Sequence, residues 1–143
     1  MNRFVVDASV GAKWAAPELI EPLADRANQF LRDYMVGSVQ IVVPDLFWLE
    51  IGNFFWKAAR RGTLTYALAE HGLQTMINRD FPTLPSRAVL PEALTIAVDF
   101  GRTVYDSTYV ALAVATGSQL LTADERMVNA LGARFPVRWL GAF

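Results

Sequence analysis

The chain has 143 residues, which favours one domain spanning 1–143 with room for a core that needs no staples. It has no cysteine and one histidine, His71, which excludes disulfides, thiolate chemistry and any multi-histidine metal site within one chain. Thirteen Lys and Arg against 14 Asp and Glu give a net charge of −1, so a nucleic-acid contact needs a local basic patch rather than bulk charge.

Phe4-Val5-Val6 is a short apolar run and predicts a buried strand, followed by a short helix from Ser9 to Trp14. Glu18 to Tyr34 predicts an amphipathic helix that Pro22 either breaks or opens. Gln40 to Val43 reads as a second strand, ended by Pro44. Asp45 to Arg61 predicts a helix with a large aromatic face, closed by Gly62. Thr65 can cap the next helix, Tyr66 to about Asn78. Leu84 to Leu90 is irregular and has room for a short strand. Helices follow from Pro91 to Phe100 and from Asp106 to Thr116. Gln119 to Thr122 is a third strand, Asp124 to Leu131 a helix stopped by Gly132, and Val137 to Leu140 a last strand.

Strands that are short, apolar and non-alternating are covered on both faces. Their alternation with helices predicts an α/β sandwich with a mostly parallel sheet. Ligands in such sheets sit beyond the carboxyl ends of the strands. The longest apolar run, Tyr109 to Ala115, is far short of the ~20 residues of a membrane span. No signal-peptide core follows Arg3, and the chain reads as cytoplasmic. With 53% hydrophobic residues, some apolar surface is expected to face a partner.

Four carboxylates stand out. Asp7 ends the first strand, Asp124 lies two residues past the third, and Asp106 opens a helix. Glu50 sits inside the aromatic run from Leu46 to Trp56, where burial costs several kcal/mol unless the charge is paired or binds a cation. Each has a structural reading. Asp7 and Asp106 can cap helices, Thr122 and Glu125 fit a capping box, and Glu50 can pair with an arginine. If the four converge, they repel one another and need cations in order to ionise together. Hard oxygen donors select Mg²⁺ or Mn²⁺. Such ions acidify bound water and stabilise charge on phosphoryl oxygens, which makes phosphodiester hydrolysis the natural chemistry.

The segments Phe4 to Ser9, Glu50 in its aromatic helix ending Arg60-Arg61-Gly62, Tyr105 to Ala113 and Leu120 to Arg126 together carry a resemblance. The chain resembles a PIN-domain protein, and within that group a VapC-type ribonuclease toxin of a type II toxin–antitoxin system. That resemblance implies a three-layer fold with a central parallel sheet flanked by helices. It implies that Asp7, Glu50, Asp106 and Asp124 form an acidic catalytic metal site for Mg²⁺, with Mn²⁺ as a substitute, and that Ser9 and Thr122 orient ligands or water. It further implies an endoribonuclease acting on structured RNA such as tRNA or rRNA, a homodimer, and neutralisation by a VapB-type antitoxin.

Other features point less far. His71 reads as a structural or surface histidine. Arg60 and Arg61 either offset the helix dipole or, with Arg126, contact the RNA backbone; Arg102, Arg134 and Arg138 can add to a basic rim. Trp48 and Trp56 suit either the core or a partner groove. Two rival readings remain: an RNA- or protein-binding scaffold without cleavage, and an Asp-nucleophile phosphatase. The second lacks the expected acid two residues after Asp7, where Ser9 stands.

Overall fold

The computed structural model describes every residue except Met1, Glu18 and Ile20. Five strands form one all-parallel sheet: β1 (Asn2–Val6), β2 (Val39–Pro44), β3 (Thr83–Leu84), β4 (Gln119–Thr122) and β5 (Val137–Trp139). Their order across the sheet is β3-β2-β1-β4-β5. Seven α-helices connect them among the described residues: α1 (Ala8–Ala15), α2 (Ala24–Met35), α3 (Asp45–Arg61), α4 (Tyr66–Arg79), α5 (Leu90–Phe100), α6 (Val104–Ala115) and α7 (Glu125–Leu131).

The chain moves one way along the sheet from β1 to β3 and returns across it to β4 and β5. Right-handed crossovers therefore place α1 to α4 on one face and α5 to α7 on the other. The helix contacts agree, since α1 touches α2, α3 and α4 while α5 lies along α6. The result is a three-layer α/β sandwich.

The central strand β1 is covered on both faces, and Phe4, Val5 and Val6 are all buried. Its neighbour β4 buries Leu120, Leu121 and Thr122 completely. Val6 stands opposite Leu121, so the carboxyl ends of β1 and β4 emerge side by side. The direction of chain travel reverses between these two strands, which opens a crevice at their ends. No helix among the described residues is long and apolar enough to cross a membrane.

Local boundaries follow the expected chemistry at most joints. Gly62 ends α3 in the left-handed region at φ 75°, and the Thr65 hydroxyl accepts from the Leu68 amide at 3.2 Å to cap α4. The long helix expected from Glu18 begins only at Ala24; Glu18 itself lies outside the described residues. Pro22 precedes the helix, and Leu23, at φ 64°, turns the chain into it. The Trp14 indole donates to the Ala27 carbonyl at 2.7 Å and ties α1 to α2. The irregular segment after α4 holds β3 and a 3₁₀ turn at Ser86–Val89.

One close approach is set by glycine. A Cβ on Gly72 in α4 would meet the Phe55 ring at 2.6 Å and the Ala15 carbonyl oxygen at 2.9 Å. The second contact is backbone and cannot turn aside. Gly72→Ala is therefore expected to cost about 1–3 kcal/mol, read as a lower urea midpoint at unchanged slope. An unaltered midpoint would show that the α1, α3 and α4 layer is loosely packed.

Candidate active site

Asp7 directly follows β1 and caps α1. Its Oδ1 accepts from the Ser9 amide at 3.1 Å, the Val10 amide at 3.4 Å and the Ser9 hydroxyl. The structural reading of Asp7 is thus correct, yet it leaves the burial unexplained, because only 4% of the residue is exposed. Desolvation pushes the carboxyl up from 3.8 to about 6, against the pull of the Ser9, Thr122 and Val10 hydrogen bonds, and the negative charge of Glu50 adds to the rise.

Ser9 and Thr122 join the two strand ends. The Ser9 hydroxyl accepts from the Ala123 amide at 2.9 Å and lies 3.4 Å from the Thr122 hydroxyl. Thr122 Oγ1 accepts in turn from the Asp124 amide at 3.0 Å. Both side chains therefore hold the turn that carries Asp124 beside Asp7. The helix after β4 is capped by Asp124, whose Oδ1 accepts from the Arg126 and Met127 amides. This corrects the capping-box reading, which gave that position to Thr122. Asp124 stands directly before the helix, where its carboxylate reaches the first amides, and Thr122 is left to brace the turn.

Asp106 is not a cap either. Thr103 caps α6, its hydroxyl accepting from the Asp106 amide at 3.1 Å. The Asp106 carboxylate is thereby free to point outward from the first turn. Glu50, in the second turn of α3, is half-buried, and its Oε1 accepts from the Tyr109 hydroxyl at 2.6 Å. Burial and, less strongly, the Asp106 charge raise the Glu50 carboxyl above the usual range, and the Tyr109 hydrogen bond opposes them. Tyr109 itself is driven far above the ordinary phenol range by burial and by Glu50, so it stays protonated and acts as a permanent donor.

One guanidinium spans the remaining pair. Arg102 Nη2 donates to Asp106 Oδ2 at 2.8 Å and to Asp124 Oδ2 at 3.3 Å. The acids thus form a chain of neighbours: Asp7 feels Glu50, Glu50 feels Asp106, and Asp106 meets Asp124 through Arg102. As arranged, no three acidic or histidine side chains among the described residues lie close enough to share one ion. The donor chemistry nevertheless fits a hard cation, because the set is all oxygen and its most buried member is penalised for its charge.

The remaining sequence candidates lie apart. Arg60 and Arg61 are exposed at the far end of α3, about 15 Å along the helix from Glu50. Arg60 stacks over Trp56, which is exposed, while Trp48 packs on Phe81 and donates to Thr83 Oγ1 at 2.9 Å. Arg126 is exposed beside Asp124, and His71 is an exposed residue of α4. Asp45 is a further strand-end acid, but Ser86 occupies it and holds its carboxyl below the usual range.

Two participants carried weaker sequence signals. Arg102 stands four residues before Asp106 and Tyr109 three after it, spacings that place all three on one side of the helix start. Neither spacing reveals which acid on another element the side chain will also reach.

A family model described as PIN domain matches residues 4–131. The chain belongs to the PIN-domain family. Among its relatives, Ribonuclease VapC3 of Pyrobaculum aerophilum is 35% identical over 130 residues, covering 89% of this chain and 93% of the relative. Exonuclease VapC9 of the same organism is 35% identical over 89 residues, covering 62% of this chain and 65% of that one. The crystal structure of PAE2754 from Pyrobaculum aerophilum superposes with a TM-score of 0.69 at 25% identity, covering 99% of this PIN domain and 91% of that chain. VapBC2 from Rickettsia felis, bound to a DNA fragment from its promoter, superposes with a TM-score of 0.66 at 10% identity, covering 96% and 98%. At that identity the likeness concerns the fold alone. The superpositions span nearly the whole PIN domain, so the likeness takes in the fold from end to end.

Proposed function

We propose that this PIN domain is a metal-dependent endoribonuclease and the toxin of a type II toxin–antitoxin pair. The observation that carries the reading is the buried Asp7 at the reversal between β1 and β4, with Glu50, Asp106 and Asp124 around it. The 35% identity to a protein named a ribonuclease supports it. Asp7, Glu50, Asp106 and Asp124 would hold Mg²⁺ or Mn²⁺. A divalent ion there supplies an acidified water at neutral pH and stabilises negative charge on the phosphoryl oxygens.

The chain's own groups do the rest. Ser9 and Thr122 fix the turn between the two strand ends, and Tyr109 holds one oxygen of Glu50. Arg126, exposed beside Asp124, is placed to meet an RNA phosphate; Arg60 and Arg61 would contact more distant backbone. The VapBC structures among this domain's neighbours support a VapB-type antitoxin as partner. A homodimer as the working form and structured RNA in the cytoplasm as the target belong to the same proposal and rest on the family resemblance.

The test is cleavage of total RNA by purified protein with Mg²⁺, Mn²⁺ or EDTA, beside Asp7→Asn and Asp106→Asn. Metal-dependent cutting that both substitutions abolish is expected. A circular RNA separates the proposed endonuclease from the exonuclease action named for one relative, because a circle has no end to attack. No cutting by folded, inhibitor-free protein would favour the binding scaffold instead.

A further inference from the structure

We propose that Arg102 is a built-in counter-cation of the acidic site, and that a divalent ion loads by displacing its guanidinium from Asp106 and Asp124. The proposal rests on the metal reading above and says what sets the affinity of that site.

The geometry is that of charge balance rather than of a structural fork. A single nitrogen, Nη2, serves both carboxylates, at 2.8 Å and 3.3 Å. The two acids come from different elements, Asp106 from α6 and Asp124 from the turn after β4. Arginine–carboxylate pairs are frequently bidentate, with two parallel N–H groups on one planar partner. Here Nε is buried and has no hydrogen-bond partner. The side chain is also mostly withdrawn from water, with 20% of it exposed, so its positive charge is screened less than that of a surface arginine.

Arg102 takes the Oδ2 atom of both acids. A hard cation shared by Asp106 and Asp124 would draw on the same two carboxylates. Ion and guanidinium then compete directly, because two cations a few ångströms apart repel while one of them is being bound. Removing the arginine leaves the acids facing each other without compensation, which raises their affinity for any cation that replaces it. A residue that merely braced the site would do the opposite, since its loss would scatter the ligands and weaken binding.

The experiment is Mn²⁺ binding to EDTA-stripped protein, followed by electron paramagnetic resonance of the free ion and by calorimetry. Wild type, Arg102→Met, Arg102→Gln and Asp106→Asn are compared. Arg102→Met is expected to bind Mn²⁺ about tenfold more tightly than wild type. It is also expected to melt lower in EDTA and to gain more from Mn²⁺. Arg102→Gln, which keeps a polar donor without the charge, gives the same direction should the Met variant fold poorly. Asp106→Asn binds more weakly. Equal or weaker Mn²⁺ binding by both Arg102 variants, with wild type binding normally, overturns the counter-cation role alone. Absence of Mn²⁺ binding by wild type and variants alike overturns the metal reading and this proposal with it.

Discussion

Asp7→Asn is expected to raise thermal stability at pH 8 in EDTA while removing RNA cleavage. The carboxyl rises from 3.8 to about 6 in the folded chain, chiefly because it is buried. The folded state therefore holds the Asp7 proton more tightly than the unfolded state does. Below pH 4 both states are protonated and there is no penalty. As pH rises through the interval from about 4 to 6, the unfolded chain ionises first and the folded chain loses stability. Above that interval the loss is complete and amounts to about 3 kcal/mol at most. Asparagine keeps an Oδ1 that can accept from the Ser9 and Val10 amides, so the cap of α1 survives. It carries no charge, so the penalty disappears. A gain of about 1–3 kcal/mol, or about 4–10 °C in Tm, is expected at pH 8, fading to nothing near pH 4. Asp7→Ala separates the effects, because it loses both the charge and the cap, and the cap is worth about 1 kcal/mol. A Tm for Asp7→Asn at or below wild type at pH 8 would show that the charge is not held against desolvation. A gain that persisted unchanged at pH 4 would assign it to packing.

The strand ends were legible because each coincides with a change of chemistry. Phe4-Val5-Val6 must be buried on both faces, and the next residue is an aspartate. Leu120-Leu121-Thr122 ends the same way two residues before Asp124. Gly62 and Thr65 marked helix ends by their own backbone and hydroxyl requirements. The helix before β2 was less legible, because its amphipathic pattern extends upstream of its true start. Nothing in that pattern announces that Leu23 adopts a left-handed turn. Within the site, the positions of the acids could be read from motif order, but the partners could not. Capping was one of two readings open for Asp106, and it fails because Thr103 stands one turn earlier and caps the helix. Asp45 had the same strand-end signature as Asp7, yet a serine 41 residues away claims it. Spacing along a chain reports which residues share an element. It does not report which elements meet.

The fold resolves a conflict that the sequence only poses. A carboxylate at the end of a fully covered strand is costly, and so is one in an aromatic helix. The structure lowers each cost with a different donor: backbone amides and a serine for Asp7, a phenol for Glu50, and a guanidinium for Asp106 and Asp124. The compensation is partial at Asp7 and Glu50, where the carboxyls remain above their ordinary range. That residual penalty is what a bound cation can relieve, and it links the stability of the domain to the chemistry proposed for it.

Glu50 and Tyr109 give the sharpest test of that link. Glu50→Gln keeps the side-chain shape and an oxygen able to accept from Tyr109, but it removes the charge. Cleavage is expected to fall at least about 100-fold, with the fold intact, as for loss of a direct participant in the reaction. Tyr109→Phe leaves the carboxylate in place and deletes only the donor at 2.6 Å. A smaller fall, about 10-fold, is expected, of the size seen when a supporting contact to a ligand group is lost. Its signature is in the pH dependence. The Tyr109 hydrogen bond lowers the Glu50 carboxyl, so its loss lets burial and Asp106 push that group higher still. The acid limb of the rate profile should therefore move to higher pH in Tyr109→Phe, and cleavage should fail first on the acidic side. Rates on an end-labelled RNA between pH 5 and pH 9 would show the shift. A profile identical to wild type would mean that Tyr109 serves only the core, where the ring is 2% exposed, and that Glu50 is held by something other than its phenol.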